Sequence, residues 1–279
     1  MNSSPNELSG TVTAGDRIRQ GVVLLAALAQ VASSALLGRS VGGVARENAS
    51  AILPAGYAFA IWGPIFALSL AVAIAGFVPS LTAHPAVRRS GWSIAIAFTA
   101  DAVWAAVFPQ GQFVLAQFVL IIGAVAAIRA TVRFQRAADG NRLVTVLFGG
   151  TFGLLAGWLT AATFVGLANT LVSAGMSGTR GWPGVVGVVL LLVATGVAVA
   201  VVRACATGPL PGSLAYAAAV AWGLLAITVE QRSAVPLTAY TALGLAVVLL
   251  AYLAVIHRLR HRAVPIRRRR RPQRVPEPG

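Results

Sequence analysis

Eight apolar stretches, each close to twenty residues long and nearly free of charge, run through this chain and restrict it to one kind of fold. They lie near residues 20–38, 55–78, 91–109, 112–132, 145–174, 184–204, 212–230 and 235–256. A helix needs roughly 20 apolar residues to cross a bilayer, and in hydrocarbon only a helix or a closed barrel satisfies its own backbone. Strand-length alternation is absent, so the stretches read as helices. Of 279 residues 57% are hydrophobic and 10% charged, against about 25% charged in a soluble domain. Such a chain cannot cover itself for water. Its expected fold is an all-α integral membrane protein with about eight transmembrane helices. Pro79, Pro85, Pro109, Pro183, Pro209, Pro211 and Pro236 fall in or beside the connections, where a missing N–H costs least. Pro64 is the exception, and a kink in the second span is expected there.

The charge is +15, and every basic residue is arginine. That excess does not indicate nucleic acid, because nine of the arginines lie between Arg258 and Arg274, after the last apolar stretch. With the N-terminus inside, 18 arginines fall on the cytoplasmic side and four, Arg39, Arg46, Arg180 and Arg232, on the other. The positive-inside rule therefore predicts an inner-membrane, multi-pass protein with both termini cytoplasmic. The run Arg267 to Arg271 is foremost a topology determinant, and the same charge would attract anionic lipid headgroups. The polar leader, with Glu7 and Asp16, is long for a signal peptide, and no clear small-x-small site follows Leu37, so cleavage is not expected.

Three spans carry more than grease. The second opens with Phe59, Trp62 and Phe66 at offsets of three and seven, an aromatic stripe on one helical face. The third places Phe98, Asp101, Trp104 and Phe108 on one side, with Asp101 near its centre. A carboxyl at that depth is expensive, so it should be paired, hydrogen-bonded or protonated. A structural bond between helices and a ligand or proton role are equal readings of it. In the fifth span Gly149, Gly153, Gly157 and Ala161 recur every four residues, a face on which another helix can approach closely. Trp158 and Asn169, eleven residues apart, point the same way, while Phe164 points elsewhere. Asn169 reads first as glue between helices. The sixth span is bare of aromatics and reads as lipid-facing packing. One cysteine, Cys205, and three scattered histidines exclude a disulfide within the chain and provide no metal-ligand set.

At these motifs the chain resembles the tryptophan-rich sensory protein, or translocator protein, family (TspO/MBR), five-helix membrane proteins that bind tetrapyrroles and other hydrophobic ligands. Pro54, Gly56, Phe59, Trp62 and Phe66 take the places of the proline-rich turn and aromatics that open the family's second helix. Here Phe and Trp stand three apart rather than the usual four, which would turn the indole by about a third of a turn. Asp101, Trp104 and Phe108 match the third helix in spacing, with Asp in place of Asn. In the fifth helix Trp158, Phe164 and Asn169 fit, whereas Ala161 stands where a Trp would be and Val165 replaces an Ala. The resemblance runs from about residue 20 to 174 and leaves three further spans outside it.

The resemblance implies a leader at 1–19, a TspO-like ligand-binding bundle of the first five helices at 20–174, three additional helices at 175–257 and a basic tail at 258–279. It implies a receptor or carrier for a hydrophobic planar ligand, with a porphyrin or heme-like molecule as one candidate and no required cofactor. Pro54, Phe59, Trp62, Phe66, Asp101, Trp104, Phe108, Trp158 and Asn169 would line its pocket, and the loop from Arg39 to Leu53 would cover the mouth. The competing function is a proton- or cation-coupled transporter using Asp101. An enzyme is not expected, since no nucleophile, metal or matched acid–base pair is present. Expected partners are the bilayer, a hydrophobic small molecule and anionic lipid, with a homodimer left open.

Overall fold

The computed structural model of the chain describes residues 11–36, 41–139, 141–176 and 182–268, without side chains at 36, 182, 183 and beyond 259. Eight long helices among these residues are apolar enough to cross a membrane. They are α1 (Ala14–Leu36), α2 (Trp62–Ala75), α3 (Pro85–Val107), α4 (Phe113–Ala137), α5 (Gly150–Ser173), α6 (Trp182–Cys205), α7 (Leu210–Gln231) and α8 (Pro236–Arg268). No strand occurs among the described residues. Large apolar side chains face outward all around the bundle, among them Leu25, Phe118, Ile122, Val189 and Val247. In water that much exposed apolar surface would drive association; in a bilayer it is the lipid-facing belt.

Local chemistry sets where the helices begin. The Thr13 hydroxyl accepts from the Asp16 N–H at 3.2 Å, and the Asp16 carboxylate accepts from the Thr13 N–H at 3.0 Å. This reciprocal cap starts α1 earlier than its apolar run alone predicts. Asp16 also holds Arg19 at 2.7 Å and Arg88 at 2.6 Å, tying α1 to α3. Pro85 opens α3 and Pro236 opens α8. The expected mid-helix break at Pro64 takes another form, because Gly56–Ile61 is a 3-10 turn and α2 proper begins at Trp62. Pro64 therefore sits in a first helical turn, where its missing N–H has no intrahelical partner to lose. At three residues per 3-10 turn, Phe59 and Trp62 are one turn apart. The short spacing that would rotate the indole away in an α-helix thus keeps both rings on one side.

Packing assigns a partner to the small-residue face of α5. A Cβ on Gly153 would fall on the Gly212 carbonyl of α7, and one on Gly157 on the Tyr216 carbonyl. Next to that seam the fully buried Tyr216 shares a hydrogen bond with Thr160 at 3.0 Å. α7 also binds the entrance to α2. The Ala55 N–H donates to the Ala226 carbonyl at 3.1 Å, and the Trp222 indole N–H to the Ala58 carbonyl at 3.0 Å. The preceding loop, which contains a short helix at Val41–Glu47, is fastened too. Gln231 donates to the Leu53 carbonyl at 2.9 Å and Thr238 to the Ala51 carbonyl at 2.8 Å. This corrects the division into a five-helix bundle at 20–174 with three helices outside it, since α7 is built into the bundle and α8 helps to hold its mouth. Of the basic tail, the backbone is helical to Arg268, and the rest of the run Arg267 to Arg271 lies outside the described residues.

Candidate ligand-binding chamber

Aromatic rings from α2 and α3 stack into a column inside the bundle. Phe66 and Trp62 have centroids 5.5 Å apart, Trp62 and Trp104 5.7 Å, and Trp104 and Phe108 5.3 Å, with planes tilted by 22°, 30° and 28°. Phe113 closes the column edge-on at 5.4 Å. From α5 the Trp158 ring meets Trp62 at 6.0 Å and Phe59 at 6.3 Å, both nearly perpendicular. Offset-stacked and edge-to-face pairs are the favoured arrangements of aromatic quadrupoles, worth about 0.5–1.5 kcal/mol each beyond burial. The rings thus support one another, apart from a second aromatic cluster of Phe134, Phe148 and Phe152 elsewhere in the core.

Two chambers flank this column. The first, with a free volume of about 50 Å³, is lined by Pro54, Phe59, Trp62, Trp104, Phe108, Trp158 and Asn169 together with aliphatic residues of α5, α6 and α7. Seven of the nine sequence-predicted site residues therefore meet in one space. The other two, Phe66 and Asp101, line a second chamber of about 210 Å³ with Ser33, Ser34, Gly42, Ala105 and Pro109. Val41, Phe59, Trp62 and Trp104 border both.

The side chains lining the first chamber are apolar apart from the three indole N–H groups and the Asn169 amide. The indole N–H groups of Trp62 and Trp158 and the side-chain carbonyl of Asn169 are buried with no hydrogen-bond partner among the described residues. Buried polar groups are nearly always partnered, and these three belong to residues that line the same cavity. Of the two readings of Asp101, a structural bond between helices is not seen among the described residues. Asp101 is 2% exposed, and neither carboxyl oxygen has a partner among the described residues.

Sequence reasoning missed the far wall. Leu191 and Ala194 of α6 and Val220, Gly223, Leu224 and Ile227 of α7 line the first chamber, so α6 has an inward face and is not purely lipid-facing. Aliphatic residues in an apolar span give no signal of such a role. Phe164, expected to point elsewhere, also lines the chamber. Val41, Ala45, Ile52 and Pro54 show that the loop before α2 borders it as well. Ala161 has a physical reason for its small size. It lines the chamber opposite Gly223, and a Cβ on Gly223 would come within 3.2 Å of its own. A Trp at that position would occupy the space that α7 fills.

A multi-pass helical membrane protein with a buried, lidded aromatic chamber is the class that this arrangement defines. The chain matches, over residues 19–255, the family model described as TSPO-like protein, and it belongs to that family. The match takes in the eight helices except for the start of α1 and the end of α8, and so extends beyond the five helices over which the motifs carried the resemblance. No curated protein and no solved structure matches the chain.

Proposed function

We propose that the protein is a membrane receptor or carrier that holds a hydrophobic, flat ligand in the first chamber, in a sensory or regulatory role. The observation that carries this reading is the set of unpartnered polar atoms of Trp62, Trp158 and Asn169 on an aromatic cavity. A flat ligand with two acceptor sites and one donor would satisfy them while its body packs against rings, the usual division of labour in ligand pockets. Family membership supports the same class of ligand, including tetrapyrroles. At about 50 Å³ the chamber has room for no more than about two waters as it stands, at roughly 30 Å³ each, so a flat ligand enters only if the surrounding side chains give way. A macrocycle would require Phe59, Trp62 and Trp104 to shift so that the two chambers merge.

The arginine asymmetry supports cytoplasmic termini and an inner-membrane location, and the basic tail would attract anionic lipid. Coupled transport through Asp101 is the weaker reading, since Asp101 does not line the first chamber. Titrating protoporphyrin into the full chain in zwitterionic nanodiscs tests the proposal through tryptophan fluorescence. Saturable quenching that weakens at least tenfold in Asn169→Leu is the expected result, and quenching no greater than in empty nanodiscs rejects it.

A further inference from the structure

The second chamber has chemistry that a hydrophobic-ligand site does not use. Asp101 lines it from α3, and both of its buried oxygens lack partners among the described residues. Ser33 and Ser34 of α1 bring two hydroxyls to the same space, and the side chains of Phe59, Trp62, Phe66 and Trp104 form much of the remaining wall.

No described neighbour supplies a positive charge to that carboxyl. On α1 the ionisable residues Asp16, Arg17 and Arg19 stand near its start. Arg19 lies against Gly91, ten residues before Asp101, which is about 15 Å along the helix. α2 has no ionisable residue. In the short helix at Val41–Glu47, the Arg46 guanidinium is against Gly56. On α4, Gly123 packs beside Ala100, and the first arginine, Arg129, is six residues further along. Arg39 lies outside the described residues. Removing an ionised carboxylate from water without a counter-charge is strongly unfavourable, so a cation entering this chamber would favour the ionised form of a carboxyl that no described residue neutralises.

We propose that the second chamber binds a small organic cation, an alkyl- or arylammonium, with Asp101 as its counter-ion. The ammonium N–H groups donate to the Asp101 carboxylate and to the Ser33 and Ser34 hydroxyls, charge-assisted bonds of the stronger kind. Ammonium ions are also attracted to aromatic rings, which here take up the hydrocarbon body. The chamber's 210 Å³ corresponds to about seven waters at roughly 30 Å³ each, enough for an ammonium with one ring or a short chain. This site is separate from the hydrophobic-ligand chamber, although Val41, Phe59, Trp62 and Trp104 border both.

Benzylammonium and its neutral counterpart benzyl alcohol are nearly the same size and test the proposal by calorimetry on the full chain. Phosphatidylcholine nanodiscs avoid surface enrichment of cations, and empty discs give the background. Saturable binding of benzylammonium at least tenfold tighter than benzyl alcohol is expected. Asp101→Asn, which keeps the size of the side chain, should remove that preference. Ala105→Leu, one turn after Asp101 on the same helix, fills the chamber while keeping the carboxyl and should weaken benzylammonium at least tenfold. Asn169→Leu, which alters the first chamber only, should leave the preference for benzylammonium intact, so failure of one site is distinguishable from failure of the other. Equal affinity for the two probes in the wild-type chain overturns the proposal. So does a preference that survives Asp101→Asn, or binding indifferent to Ala105→Leu.

Discussion

The indole N–H of Trp222 donates to the backbone carbonyl of Ala58 at 3.0 Å, across 164 residues of sequence. The bond fixes the 3-10 turn that aims Phe59 and Trp62 inward, and the Tyr57 ring adds an edge contact to Trp222 at 5.4 Å. Trp222→Phe keeps an aromatic ring and deletes the donor. It should lower stability by about 1 kcal/mol, the ordinary net value of one hydrogen bond, and weaken ligand binding in the first chamber. Thermal unfolding in nanodiscs and protoporphyrin titration read the two effects.

The seam between α5 and α7 tolerates no added methyl. Gly157→Ala and Gly153→Ala should each destabilise by about 1–3 kcal/mol, the usual cost of overpacking, because the carbonyls of Tyr216 and Gly212 occupy the space. Gly150→Ala, with nothing within 4 Å, should unfold at the wild-type temperature. Thermal melts of the three variants check the contrast.

Gln231 and Thr238 fasten the loop before α2 through the Leu53 and Ala51 carbonyls. Gln231→Leu combined with Thr238→Val leaves those carbonyls unbonded and should speed ligand dissociation several-fold. Stopped-flow release of a bound fluorescent ligand measures it, with unchanged rates counting against the loop as a cover.

Asp139, in the connection after α4, accepts from the Asn141 N–H at 3.1 Å and sits 3.2 Å from the His84 ring. The backbone N–H first, and then the histidine charge, hold its carboxyl below the usual range. A lowered folded value means that the interaction stabilises above the unfolded value, about 3.9, and is lost as pH falls through the folded one. The wild type should therefore lose stability more steeply than Asp139→Asn below about pH 4. The difference should be small, since the carboxylate is exposed. Unfolding temperatures across pH 3 to 6 give the comparison.

The eight spans were legible because continuous apolarity is the strongest signal that a membrane protein carries. The aromatic residues of the site were legible for a related reason, since Trp and Phe at helical spacing declare a face. Neither kind of signal says what the face meets. Gly153 and Gly157 announced a close approach, but nothing in Gly212 or Tyr216 marks α7 as the helix that approaches. Val220, Leu224 and Ile227 are invisible as a chamber wall because they are ordinary residues of an apolar span. Asp101 was conspicuous by depth, yet its missing partner is a property of three helices together and not of any one segment. The 3-10 turn at Gly56–Ile61 was misread as α-helix, since one turn of difference between three and 3.6 residues lies below what a short aromatic pattern resolves.

The links from α7 and α8 back to residues 51–58 reach across as many as 187 positions, which bears on how the molecule is made. A chain is delivered to the membrane from its N-terminus onward. The ring column of α2 and α3 can therefore assemble while the ribosome is still translating α5. Its far wall and the anchors of its cover do not exist until α7 and the start of α8 have emerged. Until then the glycine seam of α5 lies open to lipid or to whatever insertion factor shields it. A chain that stops after α5 has every tryptophan of the ring column and still has no closed site.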